Sequence, residues 1–83
     1  MSALADGTEV RLTPRQAEFL ALFAAGKTRR QIASTCFVSP WTVRDVLLDA
    51  QERLNAESMR QTVVKALALG ILVPRRNGNV DLG

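Results

Sequence analysis

The segment from residue 28 to residue 54, TRRQIASTCFVSPWTVRDVLLDAQERL, decides the fold because it contains two helix starts separated by a tight turn. Thr28 is followed by Gln31 in the spacing of a capping box, in which each side chain bonds the backbone of the other. Ser39 followed by Pro40 marks the second start, since serine caps helices and proline suits the first helical position. The two helices are predicted over residues 29–35 and 40–54.

Similar signals occur on both sides of this segment. TPRQ, from Thr13, combines a capping box with a proline, and SMRQ, from Ser58, has the spacing of a further box. Gly26 and Gly70 are placed to end the helices that these motifs open. No alternating strand pattern is long enough to compete, so we predict an all-α domain. Its four helices are predicted over residues 14–25, 29–35, 40–54 and 59–69.

The length of the chain, 83 residues, suits one domain, which we place at residues 12–73. Residues 1–11 are expected to be disordered or extended, and residues 74–83 to form a flexible tail, because both segments are polar or rich in glycine. No run approaches the ~20 apolar residues of a membrane span, so a soluble cytoplasmic protein with no membrane partner is expected.

The apolar spacing indicates how the helices pack. In the third helix the apolar residues step by four, three and four along one seam, which predicts burial of that side. Phe37 and Val38 are expected to fill the turn before it. Trp41 either covers the core or stacks on a nucleic-acid sugar or base, with core cover favoured. The seam residues are Val43, Leu47, Ala50 and Leu54.

The fourth helix has more apolar surface than one core requires. Val63, Ala66 and Leu67 form its inward stripe, and further apolar residues lie beside that stripe. A partner, such as an identical copy, would bury them. The alternative is that residues 71–73 fold back over them. These additional residues are Val64, Ala68 and Leu69.

The composition argues against catalysis and metal binding. The chain has no histidine and one cysteine, Cys36, so it lacks the commonest general base, the usual nucleophile pairs, an internal disulfide and an ordinary zinc site. Neither a P-loop nor a dinucleotide fingerprint occurs. We therefore expect no enzyme activity, no cofactor and no metal, and no small-molecule ligand is evident.

The region from Leu12 to Leu72 resembles the LuxR-type (GerE-type) helix-turn-helix domain. The likeness runs through LTPRQAEFLALFAAGKTRRQIA, FVSPWTV and ERL, and it closes with ALALGIL. It implies a four-helix domain whose third helix enters the major groove of double-stranded DNA, which regulates transcription, and which pairs as a homodimer through the fourth helix. Region 4 of sigma factors is a near neighbour in this fold and remains an alternative.

Most proteins with such a domain carry a receiver or ligand-binding domain ahead of it. No such domain is visible in these 83 residues. We therefore expect no built-in signal input, and the transcription machinery or another regulator is a candidate partner in its place.

Basic residues at the start of the second helix are candidates for phosphate contact. Arg29 and Arg30 oppose the positive end of the helix dipole, an arrangement that becomes favourable when an anion binds there. The alternative is two solvated arginines. The predicted phosphate contacts are Lys27, Thr28, Arg29, Arg30 and Thr42.

Three residues of the third helix are candidates for base contact. Arg44 stands where the resemblance implies a basic residue that touches DNA, and its guanidinium matches the O6 and N7 acceptors of guanine. Asp45 can accept a hydrogen bond from the cytosine amino group, and Leu48 can touch a thymine methyl. As an alternative, Arg44 is a surface arginine paired with a carboxylate.

The third helix is unexpectedly acidic for this role. Asp45, Asp49 and Glu52 would be repelled by phosphates, although Asp49 can pair with Arg53. A second hypothesis follows, in which the domain is a protein-interaction module. Its acidic third helix would then dock on a basic partner, such as the transcription machinery, without direct DNA contact.

Overall fold

The computed structural model describes residues 11–76 and 80–83, and all four predicted helices are present, with ends within one residue of the prediction. The segment predicted to be disordered or extended, residues 1–11, lies outside the described residues except for Arg11. Within the described residues, no helix is long and apolar enough to cross a membrane. The elements are α1 (Pro14–Ala24), α2 (Arg29–Cys36), α3 (Pro40–Arg53), α4 (Met59–Ala68), β1 (Leu72–Pro74) and β2 (Val80–Leu82).

The capping motifs explain where the helices begin. Gln16 and Gln31 each donate a backbone N–H to the threonine hydroxyl at the helix start and accept the threonine N–H on their side-chain oxygen. Ser58 also caps its helix, accepting from the Gln61 N–H at 3.1 Å. The return bond differs there, because the Gln61 side chain accepts from the Glu57 N–H instead. The box spacing at Ser58 is therefore only half realised.

All four helices end in the same way, with one residue in the left-handed conformation. The amide that follows this residue donates to a carbonyl five residues back, at 2.9–3.1 Å, which closes a Schellman motif. Glycine and asparagine tolerate this conformation, and phenylalanine does not. The four residues are Gly26 (φ 98°), Phe37 (φ 59°), Asn55 (φ 53°) and Gly70 (φ 77°).

Phe37 does not fill the turn as the sequence predicted. Its side chain is 94% exposed, while Val38 packs against the core beside it. The prediction failed because it assumed ordinary backbone geometry, whereas the left-handed residue of a Schellman motif is set by the helix end. Phe37 therefore combines a strained backbone, which costs about 1–2 kcal/mol, with an exposed aromatic ring.

The exchange of Phe37 for glycine is expected to stabilise the domain. Glycine adopts a positive φ freely, so Phe37→Gly should raise the free energy of unfolding by about 1 kcal/mol. Urea denaturation followed by circular dichroism measures this difference. Phe37→Ala is the matched control, because it removes the ring and keeps the strain, and it should change stability by less than ~0.5 kcal/mol. Destabilisation by glycine would show that the exposed ring contributes to folding.

The core forms around α3, as its seam predicted. Val43, Leu47 and Ala50 are completely buried and Leu54 almost so. They are enclosed because α3 packs against α1, α2 and α4. Every second turn of α3 is therefore fixed from inside, which holds the opposite side of the helix in one orientation.

The inward face of α4 differs from the predicted stripe. Thr62, which the sequence placed on the polar side, is completely buried, and Leu67 lies at the exposed edge. Burial of Thr62 is possible because its hydroxyl donates to the Ser58 carbonyl oxygen at 2.8 Å. A polar side chain that bonds its own helix can enter the core, and the periodicity of apolar residues does not reveal it.

A hairpin follows α4, which the sequence did not predict. β1 and β2 pair antiparallel, with Leu72 opposite Leu82, and Arg75 bonds Asp81 at 2.7 Å. The strands are stabilised by packing, since β2 contacts α1 and β1 contacts α4. Three-residue strands are too short to show an alternating pattern. The segment predicted as a flexible tail from residue 74 thus contains β2, and residues 77–79 lie outside the described part.

Candidate DNA interface

The side of α3 that faces away from the core is exposed along its whole length. All three residues predicted for base contact, Arg44, Asp45 and Leu48, lie on it. Their spacing places them close together, because residues three and four apart share one side of a helix. We call this surface the α3 outer face, and its residues are Trp41, Arg44, Asp45, Leu48, Asp49 and Glu52.

Arg44 has two partners on this face. Its guanidinium carbon lies 5.2 Å from the centroid of the Trp41 ring, and its Nη1 lies 3.8 Å from Asp45 Oδ1. Both side chains of the ion pair are about half exposed, so the pair contributes at most ~1 kcal/mol. The paired surface arginine considered from the sequence therefore describes the DNA-free protein, and these weak contacts leave the guanidinium accessible.

Trp41 does not cover the core, which corrects the interpretation favoured from the sequence. Its side chain is 68% exposed, because position 41 lies on the outer side of α3 and the core is already closed by Val43 and Leu47. The spacing between Trp41 and Arg44 was the available signal, since an aromatic ring and a cation three residues apart in a helix can stack.

The start of α2 presents the predicted phosphate-contact residues to solvent. Lys27, Thr28, Arg29 and Arg30 are all exposed. The capping box occupies the backbone N–H groups of Thr28 and Gln31. Of the first four helical amides, those of Arg29 and Arg30 therefore remain to donate to a ligand. Two amides and two guanidiniums at one helix start match the chemistry of a phosphate group.

Thr42, the last predicted phosphate contact, is half-buried at the start of α3. Its hydroxyl lies 3.0 Å from the Ser39 hydroxyl, and its amide donates to Ser39 Oγ at 3.1 Å. Because Ser39 Oγ already accepts from that amide, it can use its own hydrogen toward Thr42. The hydroxyl hydrogen of Thr42 is then available to an acceptor outside the protein.

The acidic residues of the α3 outer face are less compensated than the sequence suggested. Arg53 does not pair with Asp49 in the described structure, because its Nη1 donates to the Arg11 carbonyl oxygen at 3.2 Å. Asp45 is held near Arg44, whereas Asp49 and Glu52 stand exposed further along the helix. The negative charge is thus concentrated toward the C-terminal half of α3.

Cys36 lies apart from this face, in a shallow cavity of about 320 Å³ between α1 and the turn after α2. Burial raises the pKa of its thiol, the neighbouring Glu18 carboxylate raises it further, and Arg15 acts in the opposite direction. The thiol is therefore neutral at physiological pH, and the half-buried side chain behaves largely as the small hydrophobe that the sequence predicted.

The surplus apolar residues of α4 remain uncovered. Val64 and Leu69 are each 56% exposed, and Ala68 is exposed between them. We call these three residues the α4 patch. The alternative of cover by residues 71–73 is wrong, because Leu72 turns into the core and leaves the patch open.

Comparison with known proteins identifies the family. Residues 10–66 match the family described as bacterial regulatory proteins, luxR family, also called GerE. The chain belongs to this family. It is 38% identical over 61 residues to the spore germination protein GerE of Bacillus subtilis, across 74% of this chain and 82% of that protein.

Other LuxR-type relatives are longer proteins. The chain is 39% identical over 61 residues to VjbR of Brucella ovis, a quorum sensing-dependent transcriptional regulator, across 74% of this chain. It spans only 24% of the length of VjbR, and 26% of that of the regulator RpaR of Rhodopseudomonas palustris, to which it is 39% identical over 62 residues, 75% of this chain.

Solved structures confirm the LuxR-type fold. The VqmA dimer of Vibrio cholerae, determined without its target DNA, superposes with a TM-score of 0.73 at 29% identity, across 78% of this chain and 29% of VqmA. VqmA in a complex with ligand and DNA superposes with a TM-score of 0.69 at 25% identity, across 90% of this chain and 35% of VqmA. The helix-turn-helix fold predicted from the sequence is therefore confirmed.

Proposed function

We propose that this LuxR-type domain is a sequence-specific DNA-binding transcriptional regulator that inserts α3 into the major groove. The observation that carries the proposal is the α3 outer face: a helix held rigidly from inside presents an exposed arginine near its start. α3 has 14 residues and is therefore about 21 Å long, which suits a groove about 12 Å wide. A protein acting on bacterial DNA works in the cytoplasm.

Sequence readout falls to the N-terminal half of the α3 outer face. Arg44 donates two hydrogen bonds to O6 and N7 of a guanine. Asp45, one residue further, accepts from the amino group of a neighbouring cytosine, and Leu48 contacts a thymine methyl. The proposal is supported by the exposure of all three side chains and by their position within two helical turns.

The phosphate backbone is held at the flanks. The Arg29 and Arg30 amides and side chains grip one phosphate, with Lys27 and the hydroxyls of Thr28 and Thr42 nearby. The net charge of the chain is only +3, and α3 itself carries more acid than base. We therefore expect modest affinity and a shallow dependence on salt concentration.

Asp49 opposes DNA binding in this arrangement, and its neutralisation tests the direction of the face. Two charges ~4 Å apart repel by ~1 kcal/mol even in water, so Asp49→Asn should tighten binding about fivefold on all duplexes. Glu52→Gln is the matched control, because Glu52 lies further from Arg44 and should change the affinity less. Unchanged affinity in both variants would favour the interaction module, whose acidic face would bind a basic protein.

The domain is proposed to bind as a homodimer through the α4 patch. The patch is apolar, exposed and uncovered by the rest of the described chain. The related VqmA forms a dimer. Two copies would place two α3 helices on successive half-sites of the same DNA, and this doubles the number of base contacts.

A charge in the α4 patch should prevent this association. Leu69→Asp would bury an unpaired carboxylate between two copies, and we expect the dimer Kd to rise at least about tenfold. Sedimentation equilibrium of the DNA-free protein measures that constant. Leu48→Asp places the same charge on the α3 outer face and should leave the dimer Kd unchanged. Equal effects of the two variants would show that association does not use α4.

A fluorescence-anisotropy titration tests the proposed function as a whole. The probes are a duplex selected by the protein from a random library and a mixed-sequence duplex, each at two salt concentrations. We expect the selected duplex to bind at least about 1,000-fold more tightly, as specific regulators do. Absence of binding to both duplexes at low ionic strength would overturn the proposal.

A further inference from the structure

Three neighbouring side chains on the α3 outer face form an arrangement that base contact alone does not explain. The Arg44 guanidinium lies against the ring of Trp41, and its Nη1 approaches Asp45. Trp41 is 68% exposed, so its large ring contributes little to the core. Exposure of the only tryptophan in the chain requires a reason outside folding.

The two neighbours of Arg44 use different parts of the guanidinium. An aromatic ring attracts the flat face of the group, and the N–H donors point outward in its plane. A carboxylate instead occupies the N–H donors themselves. Stacking on Trp41 therefore leaves the donor edge available for guanine, whereas the Asp45 contact competes with it. At 3.8 Å and with both side chains about half exposed, that competing contact is weak.

We propose that Trp41 is a positioning residue for Arg44, and this inference rests on the proposed function. The ring keeps the guanidinium on the outer face of α3 before DNA arrives, with its donor edge directed away from the helix. A long, flexible side chain thus loses less conformational freedom when it binds guanine. Trp41 raises sequence discrimination through Arg44 and need not touch the DNA itself.

The stack can be tested first in the DNA-free protein, because Trp41 is the only tryptophan and reports on its own surroundings. Arg44→Ala uncovers one face of the ring, so quenching of the fluorescence by acrylamide should increase. Arg29→Ala is the matched control, since it removes an exposed arginine from another helix and should leave quenching unchanged. Equal quenching in wild type and Arg44→Ala would overturn the stack.

The effect on recognition is measured with a duplex selected by the wild-type protein from a random library, beside a mixed-sequence duplex. Trp41→Ala should lower the ratio of selected to mixed-sequence affinity about two- to fivefold, the size expected for an exposed cation–π contact. Trp41→Phe keeps an aromatic face and should lose less. The melting temperature of the protein should not change in either variant, because the ring lies outside the core.

A double-mutant cycle separates positioning from direct contact. In an Arg44→Ala background, Trp41→Ala should have no further effect on the ratio. A loss of the same size in that background would overturn the positioning role, because the ring would then act on DNA by itself. Equal ratios for wild type and Trp41→Ala would overturn the inference alone. A wild-type protein that binds neither duplex would overturn the proposed function and the inference with it.

Discussion

Replacement of Arg44 by alanine is expected to weaken binding to the selected duplex about 5- to 150-fold, which corresponds to ~1–3 kcal/mol. The loss arises because the O6 and N7 acceptors of guanine would be left without a partner inside a desolvated groove. Binding to the mixed-sequence duplex should change much less, so the specificity ratio falls. Anisotropy titrations of both duplexes at fixed salt measure the two affinities.

Arg29→Ala is the control for this prediction, because it removes the same side chain from the phosphate-contact region. It should weaken binding to every duplex alike and lower the slope of log K against log salt by about 1. The two arginines are thus distinguished by what they change. An Arg44→Ala protein that lost affinity equally on both duplexes would be reporting a phosphate contact, and Arg44 would lose its role in base recognition.

The second large effect is expected in the core directly behind the same face. Leu47→Ala should lower the free energy of unfolding by about 2–5 kcal/mol, because Leu47 is completely buried and a cavity would remain. That loss is a large part of the ~4–12 kcal/mol that a domain of this size typically has. Urea denaturation followed by circular dichroism measures it.

Leu48→Ala is the matched control, since it makes the same exchange on the next residue of the same helix. Leu48 is 38% exposed on the outer face, so its truncation should change stability by less than ~0.5 kcal/mol. It should instead weaken discrimination at the thymine that it is proposed to touch. Comparable destabilisation by both variants would contradict the division of α3 into an inner seam and an outer face.

The helices were predictable because their signals are local. Threonine and serine caps and glycine stops act within one helical turn, and the seam of α3 repeats over four turns. The base-contact and phosphate-contact residues were proposed from the family resemblance and the placement of charge. The structure shows that they are exposed on α2 and α3, and their contacts with DNA remain a prediction.

The features that the sequence did not reveal depend on tertiary context. The hairpin owes its strands to packing on α1 and α4, and Thr62 could be buried only because the Ser58 carbonyl was available. Phe37 is exposed because a helix end dictates its backbone. Trp41 is exposed because the core beneath α3 was already full. Periodicity describes one helix at a time and cannot report how neighbouring elements share space.

The complete enclosure of the α3 seam has a consequence for how new specificities can arise. A helix locked between three neighbours cannot rotate to offer a different set of side chains without dismantling the domain. Changes of target sequence must therefore come from exchanging the outer residues in place. An engineer can vary Arg44, Asp45 and Leu48 combinatorially while leaving Val43, Leu47 and Ala50 untouched, and can select new binders from a library in which nearly every member folds.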